Sequence, residues 1–394
     1  MNVKIYPKTL LGKITAPSSK SYAQRYILAA LLSNDETEIL FDKGCDDITA
    51  MLNVAKSLGA AVKQTLCGVI ITPPSSSVQN AALDVGESFT ALNLIIPVLS
   101  ALNVNAKIDG NGSAKIRKIF YDDLVLNKTL PLSVTGKLTG GKILLDASKT
   151  SQTVSGLLFA LPLLETNSEI IFSSPVVSKP YVDITIDVLK TFGVKVLTTE
   201  QGYFIKGGQT FVTPKRVTVE GDYTSASIFY AANVIGNVVK VTGLNPDSVQ
   251  GDKRFNEIAL KFRSSGTEID VTDNPDLFPY LSVIAAYSCS ETTFKGVGRL
   301  KNKECDRVKA IYECLTSLNV DCEIANDRFI VRGNSRVCGG TVNSYGDHRI
   351  VTAAAILATK ASSPVIIENA DCVSKSYPDF FNDFSSAGGK YEIL

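Results

Sequence analysis

The sequence has no tryptophan, two methionines and a single histidine, His348, among its 394 residues. One histidine leaves almost no material for a histidine-based zinc site or a Ser–His–Asp triad. No run approaches the roughly 20 apolar residues that a membrane span needs, so none is predicted. The N-terminus has no apolar core behind a basic start. We therefore predict no secretory signal and expect a cytoplasmic protein.

An excess of either charge is also missing. Lysine and arginine number 40, aspartate and glutamate number 39, and the net charge is +1. Such a chain is not drawn as a whole to nucleic acid or anionic membranes, so any affinity for anions has to be local. The eight cysteines form no C-x-x-C pair, which predicts reduced thiols that mostly pack. No Walker-type or G-x-G-x-x-G loop stands where a nucleotide-binding protein would have one.

The sequence does contain a regular alternation of strand and helix patterns. Its length predicts two domains, and 45% hydrophobic with 20% charged residues is typical of a soluble globular protein. Predicted strands are Val3–Tyr6, Val69–Thr72, Lys142–Leu145, Glu169–Phe172, Val217–Glu220, Val239–Thr242 and Val365–Glu368. Predicted helices begin before Ala23 and near Ser88, Thr150, Tyr181, Tyr223, Asp276, Asp306 and Asp347. The recurring order of helix, turn and strand predicts a repeated unit, with a domain crossing near residues 212–216.

Cations stand at the starts of three predicted helices. Lys20 and Arg25 lie in the first turns of one helix, and the segments 303–307 and 346–349 repeat this arrangement. A helix start is the positive end of the helix dipole, so cations there are electrostatically misplaced. An anion held by backbone N–H groups and positive side chains would resolve the conflict. The three starts together predict a site for multiply charged anions.

The segment Lys303–Arg307 allows two interpretations. On a helix, Lys303 and Arg307 are four residues apart and Glu304 and Arg307 three apart, so all would share one face. The first interpretation is a solvated helix start with paired charges. The second is a carboxylate and a lysine tuned by each other for proton transfer.

Other polar segments are equally open when taken alone. The hydroxyl-rich run from Ser148 to Gln152 can cap a helix or hold a phosphate, because hydroxyls, amides and helix N–H groups are all donors. The segment Ser178–Tyr181 has similar donors, or is simply a turn with proline near a helix start. Asp276 is consistent with an N-cap and Lys375 with an ordinary loop lysine.

Taken in order, these segments resemble the 5-enolpyruvylshikimate-3-phosphate synthases, over Ile14 to Phe381. Each motif is weak alone, and the ordered set is specific. The matching motifs are Lys20-Ser21 with Arg25, Thr150-Ser151-Gln152, Ser178-Lys179-Pro180-Tyr181, Glu220-Gly221-Asp222, Lys303-Glu304-Cys305-Asp306-Arg307, Asp347-His348-Arg349 and Lys375-Ser376-Tyr377-Pro378.

The resemblance implies a mixed α/β fold of two similar lobes, each of three βαβαββ units with buried helices whose N-termini face the cleft between the lobes. Residues 15–218 would bind most of shikimate 3-phosphate, and residues 1–14 with 219–394 would carry the acid–base and phosphoenolpyruvate-binding groups. The implied reaction transfers the enolpyruvyl group of phosphoenolpyruvate to the 5-hydroxyl of shikimate 3-phosphate and releases phosphate. A monomer without metal, organic cofactor, nucleic acid or membrane partner is expected.

The resemblance also assigns roles, position by position. Shikimate 3-phosphate would be bound by Ser21, Arg25 and Tyr181, its phosphate by Thr150, Ser151 and Ser178, and its ring beside Gln152. The anionic groups of phosphoenolpyruvate would be surrounded by Lys20, Arg117, Arg307, Arg349 and Lys375. Asp276 would accept the 5-hydroxyl proton, and Glu304 with Lys303 would manage the proton at the methylene carbon.

The sequence departs from the family on the phosphoenolpyruvate side. In the family pattern Ser-Gly-Thr-x-x-Arg, Phe89 takes the glycine position and Asn93 the arginine position, and Lys118 replaces a proline after Arg117. Losing an arginine removes a charge and a bidentate fork, so weaker phosphoenolpyruvate binding is expected. Three hypotheses follow: an active synthase with a reshaped pocket that is less sensitive to mimics such as glyphosate, a related transferase with another acceptor, and an inactive copy that binds shikimate 3-phosphate.

Overall fold

The computed structural model describes residues 1–76, 78–121, 124–264, 266–333 and 336–394. The chain forms two compact units. We call Met1–Pro17 with Gly221–Leu394 the terminal unit and Ser18–Glu220 the inserted unit. Along the described residues, no helix combines the length and the apolar character needed to cross a membrane.

Strands and helices alternate through both units. The strands are β1 (Val3–Tyr6), β2 (Leu11–Thr15), β3 (Thr37–Leu40), β4 (Ala61–Thr65), β5 (Gly68–Thr72), β6 (Asn80–Asp84), β7 (Asn105–Asp109), β8 (Leu132–Val134), β9 (Gly141–Leu145), β10 (Ser168–Phe172), β11 (Val196–Thr198), β12 (Gly202–Ile205), β13 (Arg216–Thr218), β14 (Val238–Thr242), β15 (Thr267–Asp270), β16 (Thr292–Lys295), β17 (Cys322–Ala325), β18 (Arg328–Val331), β19 (Gly340–Asn343), β20 (Val365–Glu368) and β21 (Lys390–Ile393).

The α-helices are α1 (Lys20–Leu31), α2 (Asp46–Ser57), α3 (Phe89–Ala101), α4 (Gly112–Ile116), α5 (Ser151–Ala160), α6 (Lys179–Thr191), α7 (Tyr223–Val234), α8 (Phe255–Ala259), α9 (Phe278–Tyr287), α10 (Arg307–Ser317), α11 (His348–Ala358) and α12 (Phe380–Ser386). Short 3₁₀ helices occupy Leu161–Leu163, Gly251–Arg254, Leu260–Arg263, Gly298–Asn302 and Ala370–Lys375.

One strand–helix repeat recurs in both units. In the inserted unit, β9, α5, β10, α6, β11 and β12 build a sheet of order β11-β12-β10-β9, with β9 and β10 parallel and β12 antiparallel to β10. In the terminal unit, β15 to β18 build the same order around α9 and α10. The sheet β19-β20-β1-β21 repeats it again, with the N-terminal β1 as the antiparallel strand beside β20. The repeat explains how one sequence pattern yields several similar sheets.

The predicted mixed α/β class is confirmed, but the repeat is not complete everywhere. Among the described residues, one sheet has three strands (β6-β7-β8) and one has only two (β14-β2). The strand β2 precedes α1 and would open a β2–α1–β3 repeat, yet it pairs in parallel with β14 in the terminal unit. β13 therefore takes its place beside β3, in the order β13-β3-β5-β4.

Helices that are apolar on nearly all sides lie inside each unit. In the terminal unit, α7, α9 and α11 are buried along most of their length and pack against one another. In the inserted unit, α3 and α5 are buried to a similar extent and pack together. A helix without a polar face has to be surrounded by protein, and here the sheets and amphipathic helices of each unit enclose it.

A proline inside α3 creates a local hydrogen-bonding problem. Pro97 has no N–H, so the carbonyl of Asn93, four residues earlier, loses its intrahelical donor. The hydroxyl of Tyr121 donates to that carbonyl over 2.8 Å, and also reaches the carbonyl of Thr153 at 3.3 Å. Gly156 allows the approach, because a Cβ there would lie 2.6 Å from the Tyr121 oxygen and 2.5 Å from the Asn93 carbonyl.

We predict that Tyr121→Phe lowers the free energy of unfolding by about 1–3 kcal/mol, since a buried carbonyl then loses its donor. In a Pro97→Ala background the restored N–H supplies the bond, so the same change should cost about 1 kcal/mol less. Urea unfolding of the four proteins measures this coupling. Equal costs in both backgrounds would show that Tyr121 does not compensate for the proline.

Candidate functional site

In the inserted unit, the start of α1 is tied to the starts of α2 and α3. The Nζ of Lys20 lies 2.6 Å from a carboxylate oxygen of Asp47, in the first turn of α2. The amide nitrogen of Gln24 donates to the backbone carbonyl of Asp47 at 2.9 Å and to the hydroxyl of Ser88, the N-cap of α3, at 3.1 Å. A lysine that the sequence predicts to meet an anion is thus held by a buried carboxylate.

Arg25, one turn further along α1, is buried and has only neutral partners. Its Nε donates to the hydroxyl of Thr185 at 2.7 Å, and its two terminal nitrogens donate to the carbonyls of Ser21 at 2.8 Å and Tyr181 at 3.1 Å. No described carboxylate forms an ion pair with it, and burial lowers the pKa of Arg25 to about 10. A buried cation with neutral partners is a favourable place for an anionic ligand.

The starts of α5 and α6 carry the other hydroxyls predicted to hold a phosphate. Thr150 caps α5 by accepting from the backbone N–H of Gln152 at 3.2 Å, and Ser151 is buried in the first turn. Ser178 stands at the N-cap position of α6, with its backbone in the left-handed region at a φ of 52°. The hydroxyl of Thr185 donates to that of Ser155 at 2.9 Å, which links Arg25 through α6 to α5. The structure thus joins α1, α5 and α6 around Arg25.

In the terminal unit, one buried guanidinium binds three carboxylates. Arg307 donates from Nη1 to Asp276 at 2.7 Å, from Nη2 to Glu304 at 2.6 Å and from Nε to Asp347 at 2.8 Å. Burial opposes the charge of Arg307, but Asp347, Glu304 and Asp276 outweigh it and raise the pKa of the guanidinium. Two predicted acid–base groups, Asp276 and Glu304, therefore sit on neighbouring nitrogens of one side chain.

Asp276 also gathers two further cations. The Nζ of Lys303 lies 3.3 Å from one of its oxygens, and Nη2 of Arg349 lies 3.0 Å from the other. Asp347 caps α11 by accepting from the backbone N–H of Arg349 at 2.9 Å. Carboxylates of the protein thus supply the negative charge that the sequence pattern assigned to a ligand. This holds for Lys303, Arg307 and Arg349, and for Lys20 of the inserted unit.

The helix predicted to begin near Asp306 is confirmed, but Lys303 and Glu304 lie outside it. Lys303 follows a 3₁₀ helix that ends at Asn302, and α10 begins only at Arg307. The reason is Asp306, whose side chain accepts from the backbone N–H of Lys309 and so caps the helix there. The expected contacts form without the helix, because Asp276 draws Lys303 and Arg307 to one carboxylate. Lys375, also buried in this unit, ends the 3₁₀ helix Ala370–Lys375.

Nearly the whole chain matches a known protein family. The profile of the EPSP synthase (3-phosphoshikimate 1-carboxyvinyltransferase) family matches residues 5–384. The chain belongs to the EPSP synthase family. It is 34% identical to the 3-phosphoshikimate 1-carboxyvinyltransferase of Clostridium novyi (strain NT) over 98% of both chains, and 32% identical to that of Clostridioides difficile (strain 630) over 99% of this chain and 98% of the relative. The resemblance read from the motifs is confirmed.

Solved structures confirm the fold. The EPSP synthase of Acinetobacter baumannii superposes with a TM-score of 0.80 over 100% of both chains, at 22% identity. The enolpyruvyl transferase NikO of Streptomyces tendae gives a TM-score of 0.80 at 14% identity, over 99% of this chain and 98% of its own. At such identities the agreement concerns the fold alone.

Two of the three departures from the EPSP synthase pattern, Phe89 and Asn93, lie at the start of α3, and both side chains are buried. Phe89 is 6% exposed, and the guanidinium carbon of Arg117 lies 3.9 Å from the centroid of its ring. The amide nitrogen of Asn93, fully buried, donates to the carbonyl of Phe89 at 2.8 Å. Next to them, the hydroxyl of Thr90 accepts from the Gln152 side chain at 2.9 Å. The expected loss of phosphoenolpyruvate affinity stays a prediction.

Sequence reasoning missed several residues that hold the candidate groups, among them Asp47, Thr185 and Asp252. Asp252 is 4% exposed and accepts from the Thr224 hydroxyl and from the Asn274 side chain, two residues before Asp276. Burial, and then the charge of Asp276, raise the pKa of Asp252 to about 6. A lone aspartate in a Gly-Asp-Lys turn gives no signal in the sequence, since its neighbours come from elsewhere in the fold.

The raised pKa of Asp252 predicts a specific pH dependence of stability. The folded state binds the Asp252 proton more tightly than the unfolded state does. The carboxyl therefore stabilises the fold most when the pH is below its ordinary pKa of 3.8. This stabilisation is lost as the pH rises through about 6. Relative to Asp252→Asn, the native protein should lose about 2 kcal/mol of unfolding free energy between pH 4.5 and 7.5. Urea unfolding at both pH values measures the gap, and Asp247→Asn controls for losing one exposed negative charge. A gap that is constant with pH would contradict the assignment.

Proposed function

We propose that this chain transfers the enolpyruvyl group of phosphoenolpyruvate to the 5-hydroxyl of shikimate 3-phosphate and releases phosphate. One observation carries the proposal for the chemistry: Asp276 and Glu304, 28 residues apart in sequence, are held by Nη1 and Nη2 of the same buried Arg307. Membership of the EPSP synthase family supports the substrates. Two carboxylates fixed beside one guanidinium are suited to moving two different protons in one reaction.

The inserted unit supplies the groups for shikimate 3-phosphate. Arg25 is a buried cation with neutral partners, and two of these partners are the backbone carbonyls of Ser21 and Tyr181, residues that bind the same substrate in this proposal. Thr150, Ser151 and Ser178 present hydroxyls at helix starts, where backbone N–H groups also favour a phosphate. Gln152 completes the set beside the ring.

The family resemblance assigns five cations to phosphoenolpyruvate, namely Lys20, Arg117, Arg307, Arg349 and Lys375. Planar arginines suit a carboxylate and compact lysine charges suit a phosphate. Lys20 is held by Asp47, and Arg307 and Arg349 by Asp276, so an arriving anion competes with carboxylates that already occupy part of each cation.

The chemistry then needs two proton movements. Asp276 accepts the proton of the 5-hydroxyl while the hydroxyl oxygen bonds to the central carbon of phosphoenolpyruvate. Glu304 with Lys303 delivers a proton to the methylene carbon. The tetrahedral intermediate keeps its phosphate and carboxylate, and fixed cations stabilise it. A proton of the new methyl group then returns to Glu304, and phosphate leaves with the proton that Asp276 accepted, which restores the double bond. Competition of the substrate anions for Arg307, Lys303 and Arg349 frees oxygens of Asp276 for this role.

We predict that Asp276→Asn and Glu304→Gln each lower kcat by about 10²–10⁴-fold, because each removes a proton-transfer group while keeping its shape. Continuous measurement of phosphate release from both substrates gives kcat. Asp306→Asn is the matched control, since asparagine caps α10 as well as aspartate does and removes a charge from the same segment. Full activity in either site variant would contradict the assigned roles.

The phosphate-release assay also tests the function itself and its alternatives. Release that needs both phosphoenolpyruvate and shikimate 3-phosphate supports the proposal. Release with a UDP-N-acetylglucosamine acceptor instead would indicate the related transferase. Binding of shikimate 3-phosphate without turnover would indicate an inactive copy. We further propose a cytoplasmic monomer with lobes at 15–218 and at 1–14 with 219–394, and light scattering in solution tests the monomer.

A further inference from the structure

The start of α3 contacts two of the residues assigned to substrates in the inserted unit, Gln152 and Arg117, and is linked to a third, Lys20, through Gln24 and Asp47. Ser88 accepts from Gln24, which also binds the backbone of Asp47, the partner of Lys20. Thr90 accepts from Gln152 at 2.9 Å. Between these two residues, the ring of Phe89 lies under the guanidinium of Arg117. The first turn of α3 is therefore a common support for groups from three other elements.

The contact between Phe89 and Arg117 is a close stacking arrangement. The guanidinium carbon lies 3.9 Å from the ring centroid, well inside the range of about 6 Å for a cation–π interaction. Phe89 as a whole is 6% exposed, so water screens the attraction only weakly. Such a contact favours this placement of the guanidinium, and more strongly the better it is shielded from water.

The backbone that carries Phe89 is fixed independently of the ring. Ser88 caps the helix by accepting from the backbone N–H of Ala91 at 3.3 Å, and the Asn93 side chain donates to the carbonyl of Phe89 at 2.8 Å. The Asn93 carbonyl is bound in turn by Tyr121. A substitution that removes the ring leaves these backbone bonds in place, so its effect reports on the ring.

Stacking holds an arginine in a way that suits anion binding. The N–H groups of a guanidinium lie in its plane and point outward, whereas the ring contacts only its face. The ring therefore orients Arg117 without occupying an N–H donor or cancelling the positive charge. Arg117 itself follows the short helix α4 in extended backbone, where no helix fixes the direction of its side chain.

We propose that Phe89 is a positioning residue that orients Arg117 for the anionic group of phosphoenolpyruvate. This inference rests on the proposed function, in which Arg117 binds that substrate. It also gives a physical role to the phenylalanine that replaces the family glycine: the ring that fills this position holds a substrate-binding arginine. The effect should fall on phosphoenolpyruvate and spare shikimate 3-phosphate, which the proposal assigns to other residues.

The test is Phe89→Leu, which keeps an apolar side chain and removes the π face. We expect KM for phosphoenolpyruvate to rise about 3- to 10-fold, with KM for shikimate 3-phosphate changed less than about twofold. Phe89→Tyr, which keeps the aromatic face, should restore most of the loss. The matched control is Phe159→Leu, a buried phenylalanine of α5 that stacks on Phe211 and should destabilise without raising that KM.

A double-mutant cycle with Arg117→Met makes the result decisive. If Phe89 acts through Arg117, Phe89→Leu should have almost no further effect on phosphoenolpyruvate KM once the guanidinium is gone. The inference would be overturned if Phe89→Leu raised the KM for phosphoenolpyruvate equally in the Arg117→Met background, or did not raise it in the native background. In either case, turnover by the native enzyme would leave the proposed function standing. If the native protein shows no turnover, calorimetric titration with phosphoenolpyruvate gives the Kd of the native protein and of Phe89→Leu. Equal Kd values would overturn the inference.

Discussion

The buried guanidinium of Arg307 is the interaction on which the terminal unit's site depends. An uncompensated charge in a protein interior is strongly destabilising, and here three carboxylates from three segments compensate it. Because one of them, Asp347, also caps α11, the same side chain ties the start of α10 to the start of α11. The positions of Asp276 and Glu304, and through Asp276 those of Lys303 and Arg349, follow from this single group.

Two cations of the inserted unit are placed in a different manner. Arg25 is surrounded by neutral oxygens, and Arg117 lies on an aromatic ring. The neutral partners of Arg25 leave its charge for a ligand, whereas a carboxylate partner makes a ligand compete, as Asp47 does at Lys20.

Much of the fold could be predicted, because local patterns decide it. The strand Val3–Tyr6 and the helix starts near Ser88, Tyr223 and Asp347 appear where alternation, capping residues and helical spacing predict them. The helix start near Asp306 also appears where predicted, but Lys303 lies outside the helix, because capping by Asp306 overrides favourable charge spacing. Asp252 and Thr185 escaped prediction, since their meaning comes from partners far away in the chain.

The sequence alone determined the mixed α/β class, the repeated strand–helix unit, the family and the chemical types at the site, since these depend on residue identity and spacing. Only the tertiary structure decided how the charges are partnered. It placed Asp276, Glu304 and Asp347 on one guanidinium, left Arg25 among neutral oxygens and set Phe89 under Arg117. Partnering depends on contacts between segments that are distant in sequence, and no local pattern encodes which carboxylate or ring a given cation meets.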